Sequence, residues 1–521
     1  MKHKRLWPSI GIIVLSLLSL FAPPSGLAAT GGTFVFGQPA APSTLDPQQT
    51  KENESQRVVV QMYEGLLAMD KTSTKVVPWL AEKYPVSKDG TVWTFNLRRG
   101  GKFHDGTPFN AEAVVFNFDR QRLKDNPYHI GEFNVWQTQM GGFPGIVTEV
   151  KALDEYTVRI TLQKPMGAFE SNLTSPAFLM SSPTAIKADP QNFFKKPVGT
   201  GPYKFVEWIP GDRVVMERFT GYWGEKPAFD RIVMRAITDP TARFLELKAG
   251  TIHAMDDPNP DDLGLAKADP NLQVLMRDFW PVGTVNLNLD TKPFNDVKVR
   301  WAIAYAIDRE GLMPLYSGLA SPGNQAQTPA SWAFNPDLPP IAHSPAKAKQ
   351  LLAEAGYPNG FESDFWYMPV ARPYYPAPKE IAQKMAADLA AVGIRVNLKT
   401  EDWGAYMNNR GGKYPMWMFG GWASTPDPSY LIYVYYGNKL AQEGNYDNAQ
   451  VRELMNKAQW MVDQKQRAEL YKQAAKITYD EMARIPVVFA RASAIVASKK
   501  VQGFVTTPWR LEFYKFASFA N

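Results

Sequence analysis

Short stretches of alternating apolar and polar residues are interleaved along the chain with amphipathic runs, and glycine, proline or a capping residue punctuates nearly every change. Residues 33–37 read as a strand, and 52–67 as a helix burying Val58, Val59, Met62 and Leu66. In 93–97 the side chains of Trp93, Phe95 and Leu97 share a face between Asp89-Gly90 and Arg99-Gly100-Gly101, the pattern of a strand between turns. Asn110 has the chemistry of an N-cap, because its side-chain oxygen can accept from an orphan amide of a helix spanning 111–122. Residues 149–150, 157–162 and 203–207 continue the series of short strands, and no internal repeat is visible.

The second half is more regular. Residues 299–312 form an amphipathic pattern with Trp301, Ile303, Ala304 and Ile307 facing inward, capped by Asn295 or Asp296. Ser344 is placed to cap, and Pro345 to open, a helix that Gly356 ends. Strand 362–368, helix 379–391 closed by Gly393, and strand 394–399 then make a βαβ succession, which predicts a second α/β lobe. Two stretches look like crossings between lobes: 279–289, and 485–496 after a long helix over 464–481. A return of the last segment to the first lobe would join the lobes by two strands and allow a hinge.

The N-terminus breaks this rhythm. Lys2, Lys4 and Arg5 precede an apolar run over 10–21, followed by Pro23, Pro24, Gly26, Ala28 and Ala29. This is the pattern of a secretory signal peptide cleaved after Ala28 or Ala29, and its apolar run is too short for the about 20 residues that span a bilayer. The mature chain is expected to be exported, soluble and periplasmic. Its length suits two or three domains. The expected division is a signal peptide at 1–29, a first lobe at 30–284 with an extra subdomain, a second lobe at 285–487, and a return to the first lobe at 488–521.

Cysteine is absent. That removes thiol nucleophiles, thiolate metal sites and the usual cysteine-borne lipid anchor of exported bacterial proteins. The formal charge of +6 is contributed half by Lys2, Lys4 and Arg5, so no basic surface is marked out and no nucleic-acid partner is expected. The 15 Trp, 22 Tyr and 29 Phe exceed what packing a core requires, and a minority is expected to line a binding cleft. Only His104, His129, His253 and His343 follow the leader, none at paired ligand spacing, and no metal or other cofactor is expected. The tract Gly199–Tyr203 lacks the GxxxxGK[ST] pattern of a phosphate loop and reads as a tight turn before a strand.

Several separated segments, in order, resemble the family 5 solute-binding proteins of bacterial ABC importers, which serve di- and oligopeptides, nickel chelates and related solutes. They are Val77-Pro78-Trp79-Leu80-Ala81-Glu82, Phe103-His104-Asp105-Gly106-Thr107-Pro108-Phe109, Gly199-Thr200-Gly201-Pro202-Tyr203, and Asp296-Val297-Lys298-Val299-Arg300 leading to Ala306-Ile307-Asp308. The resemblance implies a two-lobed α/β periplasmic-binding-protein fold, type II-like of cluster C. It also implies a monomer that captures a small-molecule or peptide ligand, delivers it to ABC permease membrane subunits, and performs no catalysis.

Within that family, Met368-Pro369-Val370-Ala371-Arg372-Pro373-Tyr374 and Asp402-Trp403-Gly404-Ala405-Tyr406 look like segments of the dipeptide-binding proteins. The matching arginine there holds a peptide C-terminus, so Arg372 is expected to grip a ligand carboxylate, a task suited to its fixed fork of donors. Peptide binders carry an aspartate, a few residues after a Gly-Trp pair, for the α-ammonium. This chain has Thr425 three residues after Trp422, with Asp427 displaced between prolines. A buried ammonium without an anion is costly, which makes a peptide-like, carboxylate-bearing solute the better expectation than an ordinary dipeptide. Asp427 has a second reading, as a turn residue whose side chain caps the next segment.

The expected second-lobe ligand set is Phe279, Trp280, Arg372, Tyr374, Trp403, Trp422, Thr425 and Asp427. The first lobe is expected to contribute 38–45 and 256–260. Alternatives are a nickel-chelate or other non-peptide solute binder, a chemoreceptor accessory, and a secreted hydrolase using paired carboxylates.

Overall fold

The computed structural model describes residues 31–71, 75–277, 281–329, 331–421, 427–437, 439–440, 443–490, 494–507 and 510–520. Two mixed sheets organise it into two α/β lobes. Edge to edge, the first sheet runs Leu272–Met276, Ala494–Ser498, Ala254–Asp256, Thr33–Gln38, Arg231–Ala236, Arg213–Arg218 and Tyr203–Ile209. Thr33–Gln38 lies parallel to both its neighbours, and the remaining pairs are antiparallel. The second sheet runs Ala320–Pro322, Ile485–Ala490, Val282–Leu287, Met416–Gly421, Phe361–Trp366 and Ile394–Lys399.

The βαβ unit is present: Phe361–Trp366 pairs in parallel with Ile394–Lys399, and helix Pro378–Ala390 connects them. The stretch 485–496 is two strands rather than one. Ile485–Ala490 belongs to the second sheet and Ala494–Ser498 to the first. A second passage between sheets falls between Met276 and Val282. Both Val282–Leu287 and Ile485–Ala490 are buried at every residue, as strands covered on both faces are.

A third unit projects from the first lobe. Its four strands run Ala81–Lys83, Val92–Leu97, Thr157–Leu162 and Val147–Asp154, covered by helices Ala111–Arg122 and Asn134–Met140. Trp93, Phe95, Phe118 and Trp136 share its core. Asn110 does cap the first of these helices, accepting from the Ala113 amide at 3.1 Å. Three helix readings need correction. The helix expected over 52–67 is Asn53–Met62, closed where the Tyr63 amide donates to the Val59 carbonyl, and Leu67–Met69 is a strand. The expected helix over 299–312 is split into Val297–Ala306 and Arg309–Leu312, because Asp308 caps the second piece through the Gly311 amide at 3.0 Å. Ser344 occupies the cap position of Pro345–Glu354, yet its side chain makes no capping bond.

The Gly199–Tyr203 tract is a close-approach turn. A Cβ on Gly199 would stand 2.2 Å from the Met62 carbonyl oxygen, at the end of helix Asn53–Met62. The Gly199 amide donates to His104 Nδ1 at 3.3 Å, which leaves Nε2–H to donate to the Gly201 carbonyl at 3.0 Å. Burial pushes His104 down to about 4, so it stays neutral at physiological pH and serves as a structural strut.

Beneath the first lobe's edge lies a buried ionic cluster. Asp256 accepts from Arg57, from Arg277 at 2.6 Å and from Arg510 at 2.6 Å; Arg510 also pairs with Asp257, and Glu512 takes Arg277 at 2.6 Å. Burial opposes the Asp256 charge, but the three guanidinium groups outweigh it and hold the carboxyl well below its usual range. The cluster ties the C-terminal segment to the helix at 53–62 and to the strand leaving the first sheet. Among the described residues, no helix is long and apolar enough to cross a membrane.

Candidate functional site

Arg372 opens a four-residue turn. Its amide donates to the Tyr375 carbonyl at 3.0 Å, and the Tyr375 amide donates back at 2.8 Å. Pro373 presets the bend between them. The turn packs directly on the second sheet: a Cβ on Gly420 would lie 2.5 Å from the Tyr374 ring and 2.3 Å from the Val282 oxygen. Only glycine admits that approach. Asp402 caps helix Trp403–Asn409 through the Ala405 amide, fixing Trp403 where its ring lies 4.9 Å from the Arg372 guanidinium.

Together these elements wall a cleft of about 200 Å³ facing the first lobe. Arg372, Tyr374, Trp403, Arg410, Phe419, Tyr435 and Glu443 line it from the second lobe, and Lys51–Glu54, Gln56 and Arg510 from the first. An ion pair joins the two walls: Arg372 Nη1 donates to Glu54 Oε1 at 3.1 Å. Glu54 stands in the first turn of helix Asn53–Met62, where a carboxylate suits the helix dipole, and is 2% exposed. Burial opposes the charge on Arg372, and Glu54 with Tyr374 and Asp257 more than offsets it, so the guanidinium is held charged. Burial likewise pushes the Tyr374 hydroxyl up to about 12, with Arg372, Arg410 and Arg510 pulling it down; it remains protonated.

Of the residues expected from sequence, the structure brings together Arg372, Tyr374 and Trp403. Phe279, Trp280, Trp422 and Thr425 lie outside the described residues. Asp427 is removed from the cleft set: its two oxygens accept from Arg467 at 2.7 and 2.8 Å, and one also caps the Ser429 amide at 2.9 Å. That is the turn-capping role, with an ion pair added. The first-lobe expectation also shifts. Residues 38–45 do not reach the cleft; Ser43 instead bonds to Glu52 and Ser55 and braces the helix start. Asp257, Pro258 and Asn259 do meet Arg372, in an adjoining cavity of about 40 Å³.

Sequence reasoning missed Glu54, Arg410, Glu443 and Arg510. Their only local signal was charge inside amphipathic or turn segments, which ordinarily marks a solvated face. Among the described residues, no group of three or more histidine, aspartate or glutamate side chains is placed to hold a metal ion.

Comparison with known proteins places the chain. Residues 75–443 match the model described as bacterial extracellular solute-binding proteins, family 5 Middle. The chain is 34% identical to heme-binding protein A of Haemophilus influenzae over 502 residues, covering 92% of this chain and 91% of that one. It is 32% identical to the dipeptide-binding protein of Escherichia coli over 510 residues, 94% and 95% of the two chains. Among solved structures it superposes, with a TM-score of 0.87 and 30% identity, on the ABC transporter-associated periplasmic binding protein DppA of Helicobacter pylori in complex with the peptide STSA, covering 95% and 99%. Two α/β lobes about a charged cleft, and agreement along nearly the whole length, lead to one conclusion: the chain belongs to the family 5 extracellular solute-binding proteins.

Proposed function

We propose that the chain is the solute-binding component of an ABC importer, and that it carries a small peptide or peptide-like solute with a carboxylate from the periplasm to the membrane permease. The observation that carries this reading is Arg372, held charged over Trp403 on one wall of the cleft and reaching Glu54 on the other. A ligand carboxylate offers the guanidinium the same partner that Glu54 does, so Glu54 is a built-in competitor for it. The cleft lies between sheets joined by two passages, an arrangement suited to hinge closure. Ligand contacts made to both walls favour the closed form, and only such differential contacts shift the balance.

In this reading the chain performs no catalysis, is released by its signal peptide without a lipid anchor, and works as a monomer. Its lobes divide near the passages at 277–281 and 490–494. Thermal shift with dipeptides, blocked peptides, organic acids, haem and nickel–histidine tests the ligand class. The reading predicts stabilisation by carboxylate-bearing solutes and its loss in Arg372→Ala. Stabilisation by haem or nickel–histidine alone, or unchanged affinity in Arg372→Ala, contradicts it.

A further inference from the structure

On the second-lobe wall the ionic balance is incomplete. Glu443 pairs with Arg484, and its other oxygen lies 3.5 Å from Arg410 Nη2, so two guanidinium groups share one carboxylate. Arg484 and Glu443 are 4% and 6% exposed, and Arg410 retains 11% of its side-chain surface. The Arg410 guanidinium lies 3.8 Å from the Phe419 ring, and Arg484 lies 3.8 Å from the Tyr435 ring. Stacking of this kind orients a guanidinium and leaves its edge donors free.

Among the described residues those donors have no acceptor. Arg410 Nε and Nη1, Arg484 Nη1 and the Tyr435 hydroxyl are all buried without a hydrogen-bond partner among the described residues. Tyr435 is 3% exposed, lines the same cleft as Arg410, and sits in the wide π-turn Tyr433–Gly437. Buried polar groups are ordinarily satisfied, and the orphan donors of Arg410 and Tyr435 on the cleft wall, beside two guanidinium groups that share one carboxylate, are a demand for an anion. Arg57 in the first lobe also has orphan nitrogens, but it ion-pairs within a set of three arginines and three carboxylates and does not line the cleft.

We infer that Arg410 and Tyr435 bind a second carboxylate of the solute, distinct from the one proposed for Arg372, so that the cargo is a doubly acidic peptide-like molecule. The inference rests on the proposed function for the peptide-like part and stands separately for the acid preference. With Arg372 already facing Glu54, the uncompensated charge of the wall lies at Arg410. A ligand with two acids offers one to each of Arg372 and Arg410, which both line the cleft.

Calorimetric titration with two matched pairs tests this: Ala-Glu against Ala-Gln, and glutarate against its mono-amide glutaramate. The inference predicts that the acidic member of a pair binds at least about tenfold tighter, as a charge-assisted hydrogen bond allows. Arg410→Met should collapse that ratio to about threefold or less, and Tyr435→Phe, which removes one hydroxyl from a well-packed ring, should reduce it. Equal binding within the peptide pair, or a ratio unchanged in both variants, overturns the second-carboxylate site and leaves the peptide reading intact. Binding of glutarate with the predicted ratio and no peptide binding upholds the site and overturns the peptide part. Failure of all four probes to bind overturns both.

Discussion

Two buried groups of arginines, one in each lobe, are built from the same residue types and differ in their balance. In the first lobe, Arg57, Arg277 and Arg510 contact three carboxylates, Asp256, Asp257 and Glu512. Arg243 beside them donates to the carbonyls of Ile237, Thr238, Asp256 and Asp257. In the second lobe, Arg410 and Arg484 divide Glu443, donors of both lack a partner among the described residues, and Arg410 lines the cleft. The first sets three arginines against three carboxylates and fastens distant chain segments together, with Arg510 alone of its arginines reaching the cleft lining among the described residues. The second is open and asks for an anion. Burial alone therefore does not separate a structural arginine from a binding one; local charge balance and access to the cleft do.

The largest effect is expected from breaking the closed cluster. Asp256→Asn leaves three arginines short of their shared anion, and removing one partner of a buried ionic group costs about 3–5 kcal/mol. A denaturant melt should show that loss, and solutes should not restore it; a melt like that of the parent protein would contradict the structural role. The matching change in the second lobe, Glu443→Gln, should cost about 1–3 kcal/mol by leaving Arg484 unpaired. A carboxylate solute should recover part of that cost, because the ligand supplies a replacement anion. Equal losses in both variants, with no recovery in either, would erase the distinction.

Acid probes the first lobe from a second direction. His104 has its folded pKa depressed to about 4, so between that value and its unfolded value the unfolded chain binds the extra proton. Stability is then lost as pH falls from about 6.5 toward 4, by roughly 2–3 kcal/mol from this residue. His104→Gln should flatten that part of the pH profile, whereas an unaltered profile would place the acid sensitivity elsewhere. The smallest effect links the two lobes. Glu54→Gln removes the competitor for Arg372 and should raise the affinity of a carboxylate solute by about tenfold in a titration, as one lost charge-assisted competitor allows. Weaker binding would mean that Glu54 itself holds the ligand.

The sequence made local structure legible wherever the signal was local. Asn110 and the helix it caps, strand 394–399, and the face shared by Trp93, Phe95 and Leu97 are where periodicity and capping put them. Helix 299–312 is broken because Asp308 can satisfy the Gly311 amide, a side-chain choice that apolar spacing does not register. The site was legible only where a segment carried its own resemblance, as with Arg372, Tyr374 and Trp403. Glu54 meets Arg372 across 318 positions, and Arg410 meets Glu443 across 33. Such pairings come from the topology of the two sheets. Asp427 carries the opposite lesson: its neighbourhood suggested a ligand, while its partner Arg467 lies in a helix 40 residues further on.

Native mass spectrometry of the gently purified protein tests the central claim most directly, because a retained solute declares its own mass and stoichiometry. The account predicts one bound molecule per chain, of peptide size and bearing carboxylates, that is lost in Arg372→Ala. A single bound haem or metal chelate, or a solute retained equally by that variant, would contradict it.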